Sequence, residues 1–225
     1  MKRAIVNFAK GAWYPRGQKR LRESLEGNFD GEFLGFTDES EFNSPTHAEV
    51  PYAFKPYLID MLRSEGYDSV LWVDAAAWAE RDVQPVFDII ESLGYYFQVN
   101  AECGSWCSDV CLQEFGVSRD EAFRVLMLMG CFMGFNLRDE RTNRFVDEWL
   151  RLAKERKTFV GSHTNHNLEV SSDVRVQGHR HDQSVASLLA YQMNMPLLAT
   201  PMFQYVYQDM LPELRCRAIF LTQGM

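Results

Sequence analysis

The sequence predicts a single α/β domain with a mostly parallel central sheet flanked by helices. Short apolar segments alternate with amphipathic helical segments along the 225 residues, and this alternation is typical of βαβ units. The segment Tyr67–Asp74 (YDSVLWVD) is almost continuously apolar, as expected for a strand that is covered on both faces. Hydrophobic residues make up 46% of the chain and aromatic residues 13%. This composition suits one sizeable core, so we expect one domain over residues 1–225.

Five apolar segments have the character of strands. The first ends at Phe8 and is followed by the loop signal Ala9-Lys10-Gly11, and the last is the longest. The predicted strands are Ala4–Phe8, Gly31–Asp38, Tyr67–Asp74, Tyr95–Val99 and Met127–Leu137.

Helices are predicted between these strands and after the last one, because apolar residues recur there at helical spacing. Gly27 and Gly66 end two of them, Pro85 lies in the first turn of a third, and Ser118 with Glu121 forms a capping box. The predicted helices are 18–27, Pro51–Gly66, Val83–Gly94, 106–116, 118–126, Asp139–Lys157 and Gln183–Met193.

Charge and hydropathy exclude several classes of function. The net charge is −8 and the sequence pI is about 5.2, which argues against a general nucleic-acid surface or an anionic-membrane surface. No segment approaches the roughly 18–20 apolar residues of a membrane span, and residues 1–17 lack the apolar stretch of a signal peptide. We therefore expect a cytoplasmic protein with no nucleic-acid partner and no membrane span.

The chain has five cysteines, and Cys103, Cys107 and Cys111 recur at every fourth position. On a helix these three would share one face and could hold a metal or a cluster. The alternative is that they are small core residues. The second interpretation is favoured because the tight two-residue spacing of metal sites is missing.

Polar residues follow the predicted strands at points where a ligand could bind. Asp74 ends one strand, Lys10 and Gly11 follow another, and Asn136 closes a third. In open α/β sheets, ligands bind outside the carboxyl ends of the strands. We therefore expect these residues to meet in one cleft.

The order of these segments resembles the nucleotide-sugar glycosyltransferases with the GT-A fold. The resemblance covers roughly residues 3 to 195 and rests on the block LWVDAAAWAERDVQPVFD combined with GHRHDQS about a hundred residues later. The chain is most similar to small glycosyltransferases of viruses and bacteria, and more distantly to glycogenin and the lipopolysaccharide galactosyltransferases. This implies a Rossmann-like GT-A domain with a nucleotide-binding half (about 1–100) and an acceptor-side half (about 101–225). It also implies transfer of a hexose or deoxyhexose from a UDP- or GDP-sugar to a hydroxyl acceptor, expected to be a glycan.

In this family the central strand normally ends in Asp-x-Asp. The first Asp contacts the nucleotide ribose and often the metal, and the second holds a divalent cation on the donor diphosphate. Here the motif is Asp74-Ala75-Ala76, so Ala76 stands where the second carboxylate belongs. The resemblance implies Mn or Mg as a cofactor, but one carboxylate supplies too few oxygens for such an ion. We therefore expect a weak or dispensable metal, with Asp74 and His181 as ligands; the alternative role for Asp74 is to cap the following turn.

The remaining site residues follow from the resemblance and from their chemistry. Asp182, in HRHDQS, is expected to act as a general base together with Asp74 as a catalytic residue, or alternatively to cap the helix that follows it. Without a second carboxylate, cationic side chains would neutralise the donor diphosphate. The predicted donor-binding residues are Lys10, Gly11, Arg16, Lys55, Asp74, Asn136 and Arg180. The predicted acceptor-binding residues are Trp106, Asp109, His163 and Gln183.

Two other classes of function stay open from the sequence. A non-catalytic or degenerate nucleotide-sugar-binding domain would explain Ala76 directly. A nucleotidyltransferase is less well supported, because only Ala9-Lys10-Gly11 is present where a Gly-rich phosphate loop would be expected.

Overall fold

The computed structural model describes residues 1–206 and 212–223. The strands are β1 (Arg3–Phe8), β2 (Glu32–Phe36), β3 (Ser69–Val73), β4 (Ala77–Ala79), β5 (Tyr95–Glu102), β6 (Leu126–Asn136), β7 (Phe203–Tyr205) and β8 (Phe220–Thr222). The helices are α1 (Tyr14–Ser24), α2 (Phe54–Ser64), α3 (Gln84–Leu93), α4 (Asp109–Phe115), α5 (Arg119–Ala122), α6 (Glu140–Glu155), α7 (His181–Gln192) and α8 (Pro212–Arg217). Short 3₁₀ helices cover Glu39–Phe42 and His166–Leu168.

The central sheet has five strands in the order β2-β1-β3-β6-β5. Strand β1 is parallel to β2 and to β3, whereas β6 is antiparallel to both of its neighbours, β3 and β5. Four of the five strands therefore run in the same direction, and the predicted mostly parallel, helix-flanked sheet is confirmed. The division of residues 1–225 into two functional halves stays a prediction.

The direction of β6 moves Asn136 away from the cleft. Asn136 ends β6 opposite Ser69, at the start of β3, and its side-chain amide donates to the carbonyl of Glu91. The expectation that Asn136 joins Asp74 at one edge of the sheet is wrong, because an antiparallel strand brings its beginning to that edge. The carbonyl of Cys131, near the middle of β6, accepts a hydrogen bond from the Asp74 amide instead (3.0 Å).

The sheet is covered on both faces, as the apolar sequence of β3 predicts. Val70 and Trp72 belong to one core cluster, with Leu58 of α2 and Trp149 of α6. Alternate strand residues point to opposite faces, and Leu71 accordingly belongs to the second cluster, which lies under α1 and α3. The site is thus built on a rigid, fully packed strand.

A second, three-stranded sheet in the order β4-β8-β7 is not predicted from the sequence. Its strands have three residues each, too few to show a clear alternation of apolar and polar residues. Strand β4 begins three residues after Asp74, so this sheet continues the turn that carries the carboxylate.

The three regularly spaced cysteines are fully buried members of the larger core cluster. In residues 1–206 and 212–223, no group of three or more His, Cys, Asp or Glu side chains has the arrangement of a metal site. Within the same ranges, no helix has the length and apolar character needed to cross a membrane.

Candidate active site

A pocket of about 140 Å³ opens at the carboxyl end of β3, where Asp74 follows the strand. Helix α2 supplies one wall, the middle of β6 a second, and the start of α7 a third. The residues that line it are Tyr52, Lys55, Asp74, Asn100, Met129, Gly130, Cys131, His163, Arg180, Asp182, Gln183 and Tyr205.

The centre of the pocket is a buried ammonium group between two carboxylates. Lys55, in the first turn of α2, is 3% exposed, and its Nζ lies 2.8 Å from Asp182 Oδ2 and 3.8 Å from Asp74 Oδ1. The same Nζ donates to the carbonyl of Gly130 at 2.7 Å. Burial opposes the charge on Lys55, but the attraction of Asp182 and Asp74 outweighs burial and raises the pKa of the ammonium.

Asp182 is the second residue of α7 and is buried. Burial raises its pKa to about 6, Lys55 partly offsets that rise, and the nearby charge of Asp74 adds to it. The residue that caps α7 is Arg180, without a side-chain capping bond, so the alternative interpretation of Asp182 as a helix cap is wrong. At neutral pH, Asp182 is an ionised carboxylate in a poorly solvated position.

The start of α7 is fixed against β6 by a close contact at Gly130. A Cβ added at Gly130 would lie 2.9 Å from the Cβ of Gln183, so a side chain there would force the two elements apart. Gln183 also donates its amide to the carbonyl of Leu128 at 2.7 Å. These contacts hold Asp182 at a defined distance from Lys55.

Asp74 is held both by its backbone and by its carboxylate. The indole N–H of Trp72 donates to Oδ1 at 2.7 Å, and the Asp74 carbonyl accepts a turn hydrogen bond from the amide of Ala77. The carboxylate is 39% exposed, which leaves it accessible to a ligand in the pocket. The turn contact of Asp74 is therefore made by the backbone, and the side chain faces the site.

Arg180 contributes a guanidinium to the wall of the pocket. It stacks over the ring of Trp106, 3.8 Å from the ring centroid, and Nη1 donates to the carbonyl of His163 at 2.9 Å. No carboxylate of the described residues forms an ion pair with it, so its charge is available to an anionic ligand. One face of Trp106 is covered by this guanidinium, and Trp106 itself is not part of the pocket wall.

The predicted metal ligands do not fit a divalent cation. His181 is 4% exposed, and its Nδ1 lies 2.8 Å from the carbonyl of Phe159. Burial lowers its pKa to about 4, and its ring stacks between Tyr52 and His163 outside the pocket wall. Oδ1 of Asp74 already faces an indole N–H and an ammonium group. One carboxylate with two cationic or hydrogen-donating neighbours does not provide the anionic oxygen shell that Mn²⁺ or Mg²⁺ requires.

Several predicted site residues lie outside the pocket. Lys10 forms an ion pair with Glu39, and Arg16 stacks over Trp13 on the exposed start of α1. Asp109 accepts from Arg119 and from Ser171 and thereby ties α4 to the loop before α7. The predicted residues that the fold brings together in the pocket are Lys55, Asp74, His163, Arg180, Asp182 and Gln183. Those outside its wall are Lys10, Gly11, Arg16, Trp106, Asp109, Asn136 and His181.

Six lining residues were not predicted as site residues: Tyr52, Asn100, Met129, Gly130, Cys131 and Tyr205. Asn100 directly follows the predicted strand Tyr95–Val99. It could therefore have been predicted in the same way as Asp74, as a polar residue at the carboxyl end of a strand. Tyr52 precedes Lys55 by three residues and could have been included with it. Gly130 and Cys131 lie inside an apolar strand, and only its antiparallel direction brings them to the site.

Comparison with known proteins supports the fold assignment. No protein-family model and no curated protein matches the sequence. Many solved structures are similar in fold, including the following three. The apo structure of the bifunctional glycosyltransferase WbbM has a TM-score of 0.61 at 12% identity, with 98% of this chain covered. Mouse xyloside xylosyltransferase 1 has a TM-score of 0.55 at 7% identity, with coverage of 99% of this chain and 97% of that one.

The galactosyltransferase LgtC, solved with donor and acceptor sugar analogues, has a TM-score of 0.50 at 13% identity, with 99% of this chain and 87% of that one covered. The chain spans 45% of the length of WbbM. At these identities the similarity concerns the fold alone. The chain has the GT-A fold that these glycosyltransferases share.

Proposed function

We propose that this protein transfers a sugar from a nucleoside diphosphate sugar to a hydroxyl acceptor, with a glycan as the acceptor. The observation that carries the proposal is the buried Lys55 between Asp182 and Asp74, at the carboxyl end of a central strand. Burying the two charged groups of Lys55 and Asp182 costs several kcal/mol per ion in desolvation, and such clusters of perturbed ionisable groups in a pocket are typical of active sites. The fold shared with glycosyltransferases supports the reaction class.

We assign the donor to the side of the pocket formed by Asp74, Lys55 and Arg180. Asp74 would accept hydrogen bonds from ribose or sugar hydroxyls, because its carboxylate is partly exposed. Arg180 would offset the charge of the donor diphosphate, because a guanidinium is suited to bidentate contact with phosphate oxygens, and Lys55, whose ammonium faces Asp182 and Asp74, would hold the donor-binding carboxylate in place. In this proposal the Arg180 guanidinium takes the place of the cation that a second carboxylate would hold. The donor class is a UDP- or GDP-linked hexose or deoxyhexose.

Asp182 is the proposed base of an inverting displacement. The acceptor oxygen forms a bond to the anomeric carbon, the bond from that carbon to the diphosphate oxygen breaks, and the nucleoside diphosphate departs with the electron pair. The acceptor proton passes to the Asp182 carboxylate. A pKa of about 6 is better matched to this transfer near neutral pH than that of an ordinary aspartate.

The test is a panel of UDP- and GDP-sugars, measured first by thermal shift and calorimetry and then in a transfer assay. A bound donor at a hundred times its Kd raises the unfolding free energy by about 2.7 kcal/mol. Asp74→Asn should weaken donor binding at least about tenfold, equivalent to about 1.4 kcal/mol. An unchanged Kd for this variant would remove Asp74 from the donor site.

Metal dependence gives a separate test of the role of Arg180. With the Arg180 guanidinium beside the diphosphate, we expect chelator to leave most of the turnover intact. Ala76→Asp should increase the affinity for Mn²⁺ if the turn keeps its geometry. Complete loss of turnover in chelator, restored only by Mn²⁺ or Mg²⁺, would contradict this part of the proposal.

The second candidate is a nucleotide-sugar-binding domain without catalysis. Ala76 favours it, because the second carboxylate of the Asp-x-Asp motif is missing. Donor hydrolysis separates the two candidates: a transferase also passes some sugar to water, and a binding domain does not. Tight donor binding with neither hydrolysis nor transfer would favour the second candidate.

A further inference from the structure

We infer that Trp72 is a positioning residue for the Asp74 carboxylate; this inference rests on the proposed function. Trp72 is the fourth residue of β3 and is 2% exposed. Its indole N–H donates to Asp74 Oδ1 at 2.7 Å, two residues further along the chain. Side chains two apart on a strand point to the same face, so the strand itself brings the donor to the acceptor.

The indole fixes which carboxylate oxygen is left for a ligand. Both the Trp72 N–H and the Lys55 ammonium face Oδ1, and within residues 1–206 and 212–223 no hydrogen bond is made to Oδ2. A carboxylate that is anchored at one oxygen presents the other in a defined direction. Ligand hydroxyl groups would then meet an oriented acceptor rather than a freely rotating one, which reduces the entropy lost on binding.

Trp72 also supports the second charged group of the site. The Lys55 Nζ lies 5.4 Å from the centroid of its ring, within the range of a cation–π contact. Phe54 packs against the same indole, with ring centroids 5.6 Å apart, which restricts its rotation. The orientation of the indole is therefore set by packing, and the hydrogen bond passes that orientation to Asp74.

The chain contains a matched control in Trp149. This residue is 1% exposed and stacks against Phe135, so its packing resembles that of Trp72. Its indole N–H has no hydrogen-bond partner among the described residues. Trp149→Phe therefore removes a similar volume of core without removing a hydrogen bond to a carboxylate.

The first arm of the experiment measures donor binding. Trp72→Phe removes a hydrogen bond to a charged carboxylate, and such bonds are stronger than those between neutral groups. We therefore expect the variant to raise the Kd of the best-bound nucleoside diphosphate sugar about tenfold or more. Because the bond acts on donor binding, KM should rise more than kcat falls. Trp149→Phe should leave both within about twofold. In an Asp74→Ala background, Trp72→Phe should add less than about twofold, since the partner is already gone; additive effects of the two substitutions would overturn the inference.

The second arm needs no donor. The five tryptophans give five indole N–H resonances in a ¹⁵N-labelled sample. The Trp72 resonance is assigned through correlations with the atoms that are covalently bonded next to its indole N–H. Asp74→Ala should shift that resonance and leave the Trp149 resonance in place. If Asp74→Ala leaves the chemical shift of the Trp72 resonance unchanged, the inference is overturned even if donors bind. If no donor binds the wild type and the resonance does shift, the proposed function fails while the contact between Trp72 and Asp74 stands.

Discussion

At the scale of single residues, Lys55 shows how the site affects the stability of the folded state. Its ammonium is buried, and it is the group that separates Asp182 from Asp74. Removal of one member of a buried ion pair leaves the other charge without compensation. The remaining carboxylate can escape this penalty only by taking up a proton.

We therefore predict that Lys55→Met lowers the unfolding free energy by about 3–5 kcal/mol at pH 8. The loss should be smaller at pH 5, because without Lys55 the pKa of Asp182 rises above about 6 and the carboxyl is then neutral. The control is Arg151→Met, which breaks the exposed contacts of Arg151 with Glu148 and Glu155 and should cost at most about 1 kcal/mol. Urea unfolding at the two pH values measures both variants. Equal losses for Lys55→Met at pH 5 and pH 8 would argue against a buried charged pair.

For Asp182, we predict a pH profile rather than a simple loss. A base with a pKa of about 6 is half ionised at that pH, so kcat/KM should rise as pH increases through about 6 and level off about one pH unit above it. Asp182→Asn should lower turnover about a hundredfold or more and remove this limb, while donor binding is largely retained. The profile is recorded with the donor and acceptor found in the panel. A variant that keeps both the normal rate and the same limb would exclude Asp182 as the base.

At the scale of secondary structure, the sequence predicted which segments are strands better than how they are arranged. The apolar run Met127–Leu137 predicts a strand, and the structure has β6 (Leu126–Asn136) there. Its direction is set by pairing with β3 and β5, which composition does not encode. Because β6 runs antiparallel to its neighbours, Gly130 and Cys131 lie at the site where the sequence predicts Asn136. For the same reason the sequence does not predict Gly130 and Cys131 as site residues.

Another element whose role depends on backbone contacts is the loop between α6 and α7. Gly178 lies against the carbonyl of His163, and an added Cβ would be 2.0 Å from that oxygen. The same carbonyl accepts from Arg180. Because the obstructing atom belongs to the backbone, the loop itself would have to move.

We accordingly predict that Gly178→Ala displaces His163 from Arg180, lowers the melting temperature and weakens donor binding severalfold. The comparison is Gly116→Ala, where φ is +62° and nothing lies within 4 Å of the added Cβ. That variant should lose about 1 kcal/mol through backbone strain and bind donor normally. Differential scanning calorimetry and donor titration measure the two effects. If the Gly178→Ala protein is destabilised but binds donor normally, the conformation of this loop does not affect donor binding.

At the scale of the whole molecule, folding joins residues that no local pattern connects. Lys55 and Asp182 are 127 positions apart and form the closest ion pair of the pocket. The alternation of strands and helices was sufficient to predict the layered fold, because each segment carries its own periodicity. The pairing of two charged residues at the sheet edge follows from the tertiary packing of α2, α7 and β6, and only the family resemblance assigns both residues to the active site in advance, Lys55 as a donor-binding residue and Asp182 as the base.

The buried histidines give the molecule as a whole a defined response to acid. Burial lowers the pKa of His181 to about 4 and lowers that of His179 as well. In the unfolded chain a histidine has a pKa near 6.5, so the stability gained by burying these rings in the neutral form is fully present above about pH 6.5. It is lost as pH falls through the folded pKa. The raised pKa of Asp182 acts in the opposite direction, because between about pH 6 and pH 4 its buried carboxyl takes up a proton more readily in the folded state.

We predict that His181→Asn makes stability less sensitive to acid than the wild type. Asn tolerates the φ of +46° at this position and does not titrate. In the wild type the lowered pKa of His181 costs about 2 kcal/mol of unfolding free energy at pH 5, so in the variant the fall in unfolding free energy from pH 7 to pH 5 should be smaller by roughly that amount. The variant should also be less stable at pH 7, since the contact of Nδ1 with the Phe159 carbonyl is lost. For this reason the measurement is the difference in unfolding free energy between the two pH values.

The control is His166→Asn, at an exposed position, which should keep the wild-type difference. Equal differences for the wild type and His181→Asn would mean that His181 does not enter the folded core as a neutral ring.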